Sequence, residues 1–149
     1  MLIKTPKHID RIDRNILIEL QKNGKITNSE LANKIGLSAS PCLERVKRLE
    51  SQGYITGYHA RVDPSLLGAA MLVFVEITLT KTSVDIFEEF STAVRKHEDI
   101  QECHLVSGNF DFLLKARVAD MSSYCKLLGD TLFRLPGVSE SRTYVAMEE

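Results

Sequence analysis

The sequence contains no tryptophan, only three cysteines and four prolines, and no long hydrophobic run. Cys42, Cys103 and Cys125 are widely spaced and odd in number, which argues against a disulfide framework and predicts reduced thiols in the cytoplasm. No apolar stretch approaches the roughly 20 residues that a membrane-spanning helix needs, and the first residues do not resemble a signal peptide. We therefore expect a cytoplasmic protein with no membrane partner.

Patterns that mark enzymes and metal centres are also missing. The histidines have no ligand spacing with any cysteine, and no glycine-rich phosphate loop is present. Cys103 and His104 are neighbours in a predicted strand, so their side chains point to opposite faces and cannot form a catalytic pair. We expect no enzymatic activity, no catalytic residue, no metal and no cofactor.

Positive and negative charges nearly balance over the whole chain, which has a net charge of −1. Residues 1–64 nevertheless contain 11 basic and 7 acidic residues, a net charge of +4, and residues 65–149 contain 8 and 13, a net charge of −5. A basic front and an acidic back are typical of a nucleic-acid-binding domain joined to a different one.

The stretch from Thr27 to Gly53 predicts two short helices joined by a tight turn. Thr27 and Glu30 have the spacing of a capping box, and Gly36 is a typical left-handed helix end. Ser38 can cap the next helix, and Ser40-Pro41 is an equally good start two residues later. With a first helix opened by acidic residues, we predict three helices at about residues 10–22, 28–35 and 39–52.

The last of these helices has an apolar stripe and a polar side. Its predicted buried residues are Cys42, Leu43, Val46 and Leu49. Small polar residues at its start and basic residues on its flank are typical of a helix-turn-helix DNA reader, although an ordinary helical hairpin with a solvated charged face is the alternative. The candidate DNA-binding residues are Ser38, Ala39, Ser40, Pro41 and Glu44 for base edges, Lys34, Arg45, Lys47 and Arg48 for phosphates, and Asn28.

The rest of the chain predicts an arm, a linker and a second domain. Residues 1–8 lack periodicity and predict a mobile arm. Residues 54–63 are β-prone and predict a wing or a strand-like linker, followed by a short hinge at 65–69. The predicted domains are residues 1–53, a linker at 54–69, and residues 70–149.

Residues 70–149 alternate between strand and helix periods. Predicted strands span about 71–80, 100–107, 112–118 and 138–147, and predicted helices span 84–97 and 121–134. This order is a ferredoxin-like βαββαβ domain, so the fold class is α+β. Its outer sheet face mixes apolar and charged residues, which predicts a homodimer through the sheets. The residues predicted on that face include Leu72, Phe74, Glu76, Thr78, Asp111, Leu113, Lys115 and Arg117.

Five segments together resemble the feast/famine (Lrp/AsnC) family of transcription regulators, from about residue 9 to the last residue. They are residues 10–17, 41–50, 72–78, 102–111 and 135–138. The resemblance implies a winged DNA reader for double-stranded DNA, a sensing domain for an amino-acid effector, and dimers that often assemble into octamers or larger discs. It favours leucine as the effector; the alternative is a local regulator of an amino-acid catabolic operon that responds to alanine, methionine or another amino acid. A ligand-sensing protein that does not bind DNA is the alternative from another class.

In many family members the effector binds near a loop that reads Gly-Asp-Tyr/Phe-Asp, between dimers. Here the loop is Gly108-Asn109-Phe110-Asp111, in which asparagine replaces the usual aspartate. Loop N–H groups can hold a carboxylate, Asp111 can accept hydrogen bonds from an ammonium group, and Leu105 and Met121 can hold an aliphatic side chain. The resemblance adds Ser107, Tyr144 and Ala146. The alternative is a plain hairpin turn in which Asp111 is a local cap.

Overall fold

The structure is a computed structural model that describes residues 9–149. The predicted arm at residues 1–8 lies outside the described residues. The chain divides into two compact units, the first ending at Arg61 and the second spanning residues 62–149. This division falls inside the predicted linker.

Three helices build the first unit: α1 (Arg11–Lys22), α2 (Asn28–Ile35) and α3 (Ala39–Ser51). Capping boxes begin the first two, because Asp10 pairs reciprocally with Asp13 and Thr27 with Glu30. Each helix contributes one apolar face to a shared core. The buried core residues are Ile16, Leu31, Ala32, Cys42 and Leu49.

After α3 the chain continues without a strand. The N–H groups of Tyr54 and Ile55 donate to the Leu49 carbonyl at 2.9 and 3.3 Å, which holds the start of this segment against the end of α3. Among the described residues, the β-prone stretch 54–63 has no strand partner. This stretch is therefore not a hydrogen-bonded β-wing. A single 3₁₀ turn, Pro64–Leu67, occupies the predicted hinge.

The second unit is a four-stranded antiparallel sheet with the order β2-β3-β1-β4. Helix α4 (Val84–Val94) follows β1 and helix α5 (Met121–Lys126) follows β3. This is the predicted ferredoxin-like order. Of the two central strands, β1 comes from the first half of the unit and β3 from the second. The strands are β1 (Met71–Leu79), β2 (Ile100–Leu105), β3 (Phe112–Val118) and β4 (Val138–Val145).

Both helices of this unit are shorter or less regular than their periodicity predicts. Helix α4 ends at Val94 rather than residue 97. Helix α5 passes into a π-helical turn, Leu127–Thr131, and a 3₁₀ turn, Leu132–Arg134. The wider turn contains Gly129, a weak helix former, and it keeps both Leu127 and Leu132 buried.

The two faces of the sheet differ as the strand alternation predicts. One face of β1, including Val73, Val75 and Ile77, is fully buried with Phe90 of α4 and Tyr124 of α5. The other face places Phe74 between Lys115 and Tyr144, and Glu76 between Leu113 and Arg142. Lys115 Nζ lies 2.8 Å from Glu102 Oε1 on the same face. This outer face therefore combines apolar side chains with charges of both signs.

Among residues 9–149, no helix is both long enough and apolar enough to cross a membrane.

Candidate DNA-binding helix and effector loop

The turn between α2 and α3 depends on Gly36. Its φ of 73° is left-handed, a conformation that glycine adopts without a Cβ penalty. The next residue, Leu37, donates its N–H to the Ala32 carbonyl at 2.9 Å and packs against the helical core. These local bonds close the helix end and determine the direction in which α3 leaves.

Helix α3 begins at Ala39, with Ser38 at the N-cap position. The Ser38 side chain makes no capping hydrogen bond, so the prediction of a serine cap is wrong in this detail. Instead, Asn28 Nδ2 of α2 donates to the Ala39 carbonyl at 2.8 Å and ties the two helices together. Pro41 lies in the first turn, where its missing N–H costs no helical bond.

The start of α3 presents an exposed polar edge. Leu43, predicted to be buried, is 42% exposed because it lies at the border of the stripe that Cys42 and Leu49 occupy. The predicted base-contacting residues and Lys47 are all exposed: Ser38, Ala39, Ser40, Pro41, Glu44 and Lys47. The helix therefore leaves its N-terminal half open to a large partner such as a DNA groove.

The two arginines of α3 contact acidic residues at the start of α1. Arg45 Nη1 lies 2.6 Å from Asp10 Oδ2 and 2.8 Å from Asp13 Oδ1. Arg48 Nη2 lies 2.7 Å from Asp13 Oδ2 and 2.8 Å from Asp13 Oδ1. These two predicted phosphate ligands therefore already form ion pairs with acidic residues of the same chain.

Hydrogen bonds around Asp10 stabilise its charged form. The Asp13 N–H and the Arg45 guanidinium lower the pKa of the Asp10 carboxyl, and Asp10 and Asp13 in turn raise the pKa of Arg45. The two groups therefore remain ionised at neutral pH and keep α1 and α3 bridged.

The two candidate lysines have different surroundings. Lys34 Nζ lies 2.9 Å from Glu19 Oε2 of α1. Lys47 has no ion pair with any residue that the structure describes. Lys47 is therefore the candidate phosphate ligand whose charge is not already offset by a neighbour.

The candidate effector loop is closed by Asp111. Its main chain accepts from the Val106 N–H and donates to the Ile77 carbonyl, both at 2.9 Å. Its side chain accepts from the Leu79 N–H at 2.8 Å through Oδ2. Asp111 thus joins the β2–β3 hairpin to β1, and this contact is more distant in sequence than the local cap considered as the alternative.

The loop residues themselves face outward. Ser107, Gly108 and Asn109 are exposed, and Phe110 is half-buried. Asn109 and Phe110 line a cavity of about 200 Å³ on the outer sheet face. The other lining residues of this cavity are Glu76, Thr78, Glu140 and Arg142.

The other candidate effector residues do not line this cavity. Leu105 is 56% exposed and lines a separate cavity of about 550 Å³ together with Phe112 and residues of α4. Met121 follows the far end of β3, roughly 20 Å from the loop at about 3.3 Å per strand residue. Tyr144 lies opposite Phe74, and the Ala146 N–H donates to the Leu72 carbonyl. One chain therefore does not bring the candidate set together.

Two family descriptions match the chain and divide it as the fold does. "Winged helix-turn-helix DNA-binding" matches residues 9–56, and "Lrp/AsnC ligand binding domain" matches residues 72–149. The chain belongs to the Lrp/AsnC family. It is a DNA-binding transcription regulator of the amino-acid-responsive type rather than an enzyme, which confirms the fold class and function predicted from the sequence.

Relatives in this family are similar over nearly the whole chain. The leucine-responsive regulatory protein of Escherichia coli K12 is 66% identical over 143 residues, which cover 96% of this chain and 87% of that protein. The leucine-responsive regulatory protein of Salmonella typhimurium is 65% identical over the same shares.

Solved structures of transcriptional regulators have the same fold. The complex of the regulator NMB0573 with L-Met from Neisseria meningitidis is 34% identical with a TM-score of 0.91, covering 95% of this chain and 92% of that one. An AsnC family regulator from Agrobacterium tumefaciens is 30% identical with a TM-score of 0.89 over the same shares.

Sequence reasoning missed the acidic partners of α3. Acidic residues at the start of a helix predict a favourable interaction with the helix dipole, whereas Asp10 and Asp13 also bind arginines more than thirty residues away. Their i, i+3 spacing signals a capping box and could have located the residues. No pattern in the sequence indicates that α3 would place guanidinium groups beside them.

Proposed function

We propose that this Lrp/AsnC regulator reads specific DNA sequences with the exposed start of α3. The observation that supports this most directly is that Ser38, Ser40 and Glu44 are exposed on a helix that Gly36 and Asn28 orient. Small polar residues there can reach base edges in a major groove. Ala39 and Pro41 complete the proposed reading edge.

Basic side chains beside this edge are proposed to bind phosphates. Lys47 has no ion-pair partner among the described residues, and Lys34 and Arg48 remain about half exposed beside their acidic partners. Each phosphate contact should contribute about 0.9 to the slope of log affinity against log salt concentration on B-DNA. Arg45, which is less exposed, is proposed to contribute at the flank.

An amino acid is the proposed effector, bound at the loop Ser107–Asp111 between subunits. We favour leucine because the relatives that are 65–66% identical carry the name leucine-responsive regulatory protein. Methionine is the next candidate because one solved relative holds L-Met, and alanine follows. Asp111 supports ammonium binding, since Leu79 occupies only one of its two carboxylate oxygens.

The candidate effector residues do not share one cavity within a single chain, which supports a site shared between subunits. We propose a homodimer through the outer sheet faces and a larger assembly, such as an octamer, in which Leu105, Met121, Tyr144 and Ala146 approach loops of other subunits. The mixed outer face suits pairing by apolar contact and complementary charge. Two readers about 34 Å apart would then match successive major grooves.

Selection from a random duplex pool, followed by polarisation titration, tests the DNA proposal. Lys47→Ala should weaken binding to every duplex and lower the salt slope by about 0.9. Ser40→Ala should instead change the preferred bases. Equal affinity for selected and random duplex would contradict sequence-specific reading.

Calorimetric titration of the full chain with the amino acids tests the effector proposal. Leucine should bind with measurable heat and change the assembly seen by light scattering. If methionine or alanine binds at least tenfold more tightly, the effector assignment changes. Failure of every amino acid to bind would contradict the loop as an effector site.

A further inference from the structure

Helix α3 carries two polar stripes rather than one. At 3.6 residues per turn, Ser40, Glu44 and Lys47 align on the side opposite Cys42 and Leu49. Pro41, Arg45 and Arg48 align about a quarter turn away, on the flank that faces α1. The first stripe is exposed to solvent, and the second contacts the acidic start of α1.

Asp13 is the one buried charged residue among those the structure describes. Its side chain is 2% exposed, and both of its carboxylate oxygens accept hydrogen bonds. Oδ1 accepts from Arg45 and Arg48, and Oδ2 accepts from Arg48 and from the Asp10 N–H. A buried carboxylate is costly unless it is paired in this way, so the arrangement is strongly specified.

Among residues 9–149, one nitrogen of the Arg48 guanidinium has a hydrogen-bond partner. Nη2 contacts Asp13, whereas Nη1 and Nε have no partner among the described residues, and the side chain is 47% exposed. A guanidinium is a rigid planar fork, so holding one nitrogen determines where the others point. Arg45 also contacts Asp10 and is only 25% exposed, which makes it a brace for the cluster.

We propose that Asp13 is a positioning residue for DNA binding, which holds Arg48 through Nη2 so that its remaining N–H groups meet a backbone phosphate beside α3. This inference rests on the proposed function of α3. A held guanidinium loses less side-chain freedom on binding than a mobile one, so the phosphate contact is strengthened. Asp13 itself does not contact DNA.

Simple electrostatics predicts the opposite effect. Removing a negative charge from the DNA-binding unit should strengthen its attraction to phosphates. If the Asp13 carboxylate merely competed with phosphate for Arg48, neutralising it should likewise tighten DNA binding. The positioning role predicts weaker binding when Asp13 loses its charge. The sign of the change therefore separates the two explanations.

The experiment measures duplex affinity at several salt concentrations for the full chain. The variants are Asp13→Asn, Arg48→Gln and the double variant, with Glu50→Gln as the charge control. Glu50 is exposed on α3 and contacts the Tyr58 hydroxyl but neither arginine. Circular dichroism and thermal unfolding establish that each variant is folded at the assay temperature.

We expect Asp13→Asn to weaken binding about fivefold to tenfold and Glu50→Gln to leave it unchanged or slightly tighter. Arg48→Gln should weaken binding and lower the salt slope by about 0.9. The double variant should resemble Arg48→Gln alone, because the carboxylate acts through that arginine. Asp13→Glu, which restores a carboxylate, should recover part of the loss.

Unchanged or tighter binding by Asp13→Asn would overturn the inference, and so would an additive loss in the double variant. If Asp13→Asn does not fold, Arg48→Lys decides the question. Lysine keeps the charge but cannot hold Asp13 and a phosphate with separate, fixed N–H groups, so affinity should fall although the slope is kept. Equal affinity of Arg48→Lys and the parent chain would overturn the inference.

The proposed function fails in a different way. If the parent chain does not distinguish a selected duplex from a random one, α3 does not read sequence. If the parent chain does discriminate but Asp13→Asn binds as the parent does, only the positioning role is lost.

Discussion

At the scale of single residues, Asp111 combines a structural contact with a proposed ligand contact. Its Oδ2 accepts from the Leu79 N–H at 2.8 Å, and its charge is proposed to hold an effector ammonium group. An amide oxygen can accept the hydrogen bond from the Leu79 N–H, but it carries no negative charge for the ammonium group. Substitution by asparagine or by alanine therefore separates the two roles.

Asp111→Asn should keep nearly the full stability of the parent but bind the amino acid at least tenfold more weakly. Asp111→Ala should bind the amino acid more weakly and should also be less stable. Its free energy of unfolding should fall by about 1–3 kcal/mol because the Leu79 N–H loses its partner. Urea unfolding and calorimetric titration measure the two effects. Full effector affinity in Asp111→Asn would remove this residue from the site.

Asp10 predicts how the first unit responds to acid. The Asp13 N–H and Arg45 lower the Asp10 pKa in the folded chain, so its stabilising effect is present above the unfolded value, about 3.9. That contribution is lost as the pH falls from there through the lower folded pKa.

Asp10→Asn keeps a helix-capping side chain but removes the charge. Its stability should therefore fall less steeply than that of the parent as the pH drops from 5 to 2.5, about the range in which carboxylates become protonated. Thermal unfolding across this range measures the slopes. Asp85→Asn is the control and should follow the parent, because Asp85 is exposed on α4 and has no ion pair with any described residue.

At the scale of secondary structure, the left-handed glycines mark where elements end. Gly137 has φ 72° just before β4, and a Cβ there would lie 2.9 Å from Ile86 Cγ1. Gly68 has φ 68° after the 3₁₀ turn, with no atom within 4 Å of such a Cβ. The two positions share a backbone conformation and differ in their surroundings.

Gly137→Ala should lower the free energy of unfolding by about 2–4 kcal/mol, because a left-handed alanine costs about 1–2 kcal/mol and the clash with Ile86 adds to it. Gly68→Ala should lower the free energy of unfolding by only the roughly 1–2 kcal/mol of a left-handed alanine, because no neighbouring atom clashes there. Chemical unfolding of both variants tests the difference. Equal losses would mean that α4 moves away from Gly137 at little cost.

At the scale of the whole molecule, subunit pairing is the proposal with the largest consequences. Leu113 and Tyr144 flank β1 on the outer sheet face, among charges of both signs. An aspartate at position 113 would lie opposite Glu76 of β1, so it would add a like charge to the proposed interface in each subunit.

Leu113→Asp should shift the dimer toward monomer by at least tenfold in dissociation constant, measured by light scattering over a concentration series. Phe133→Asp is the matched control, because Phe133 is 58% exposed after the helix that follows β3 and is not on the outer sheet face. Loss of the dimer in Phe133→Asp alone would place the interface on the helical side of the unit.

Local sequence patterns determined most elements of this protein. The capping spacing at Thr27 and Glu30, the left-handed Gly36 and the alternation in residues 71–79 each describe interactions within a few residues. Such short-range interactions depend only on backbone geometry and residue type, so they can be recognised without a fold. They indicated the three helices, the DNA-binding helix-turn-helix, the four strands and the ferredoxin-like order, and the family resemblance supplied the amino-acid effector.

Only the tertiary structure decided which distant groups meet. It placed Asp13 against Arg45 and Arg48 and bonded Asp111 to Leu79. These outcomes depend on the packing of elements that are thirty or more residues apart, and helical or strand periodicity specifies a face but not its neighbour. For the same reason, the sequence indicated that α3 carries arginines and only the fold showed that a buried carboxylate holds them.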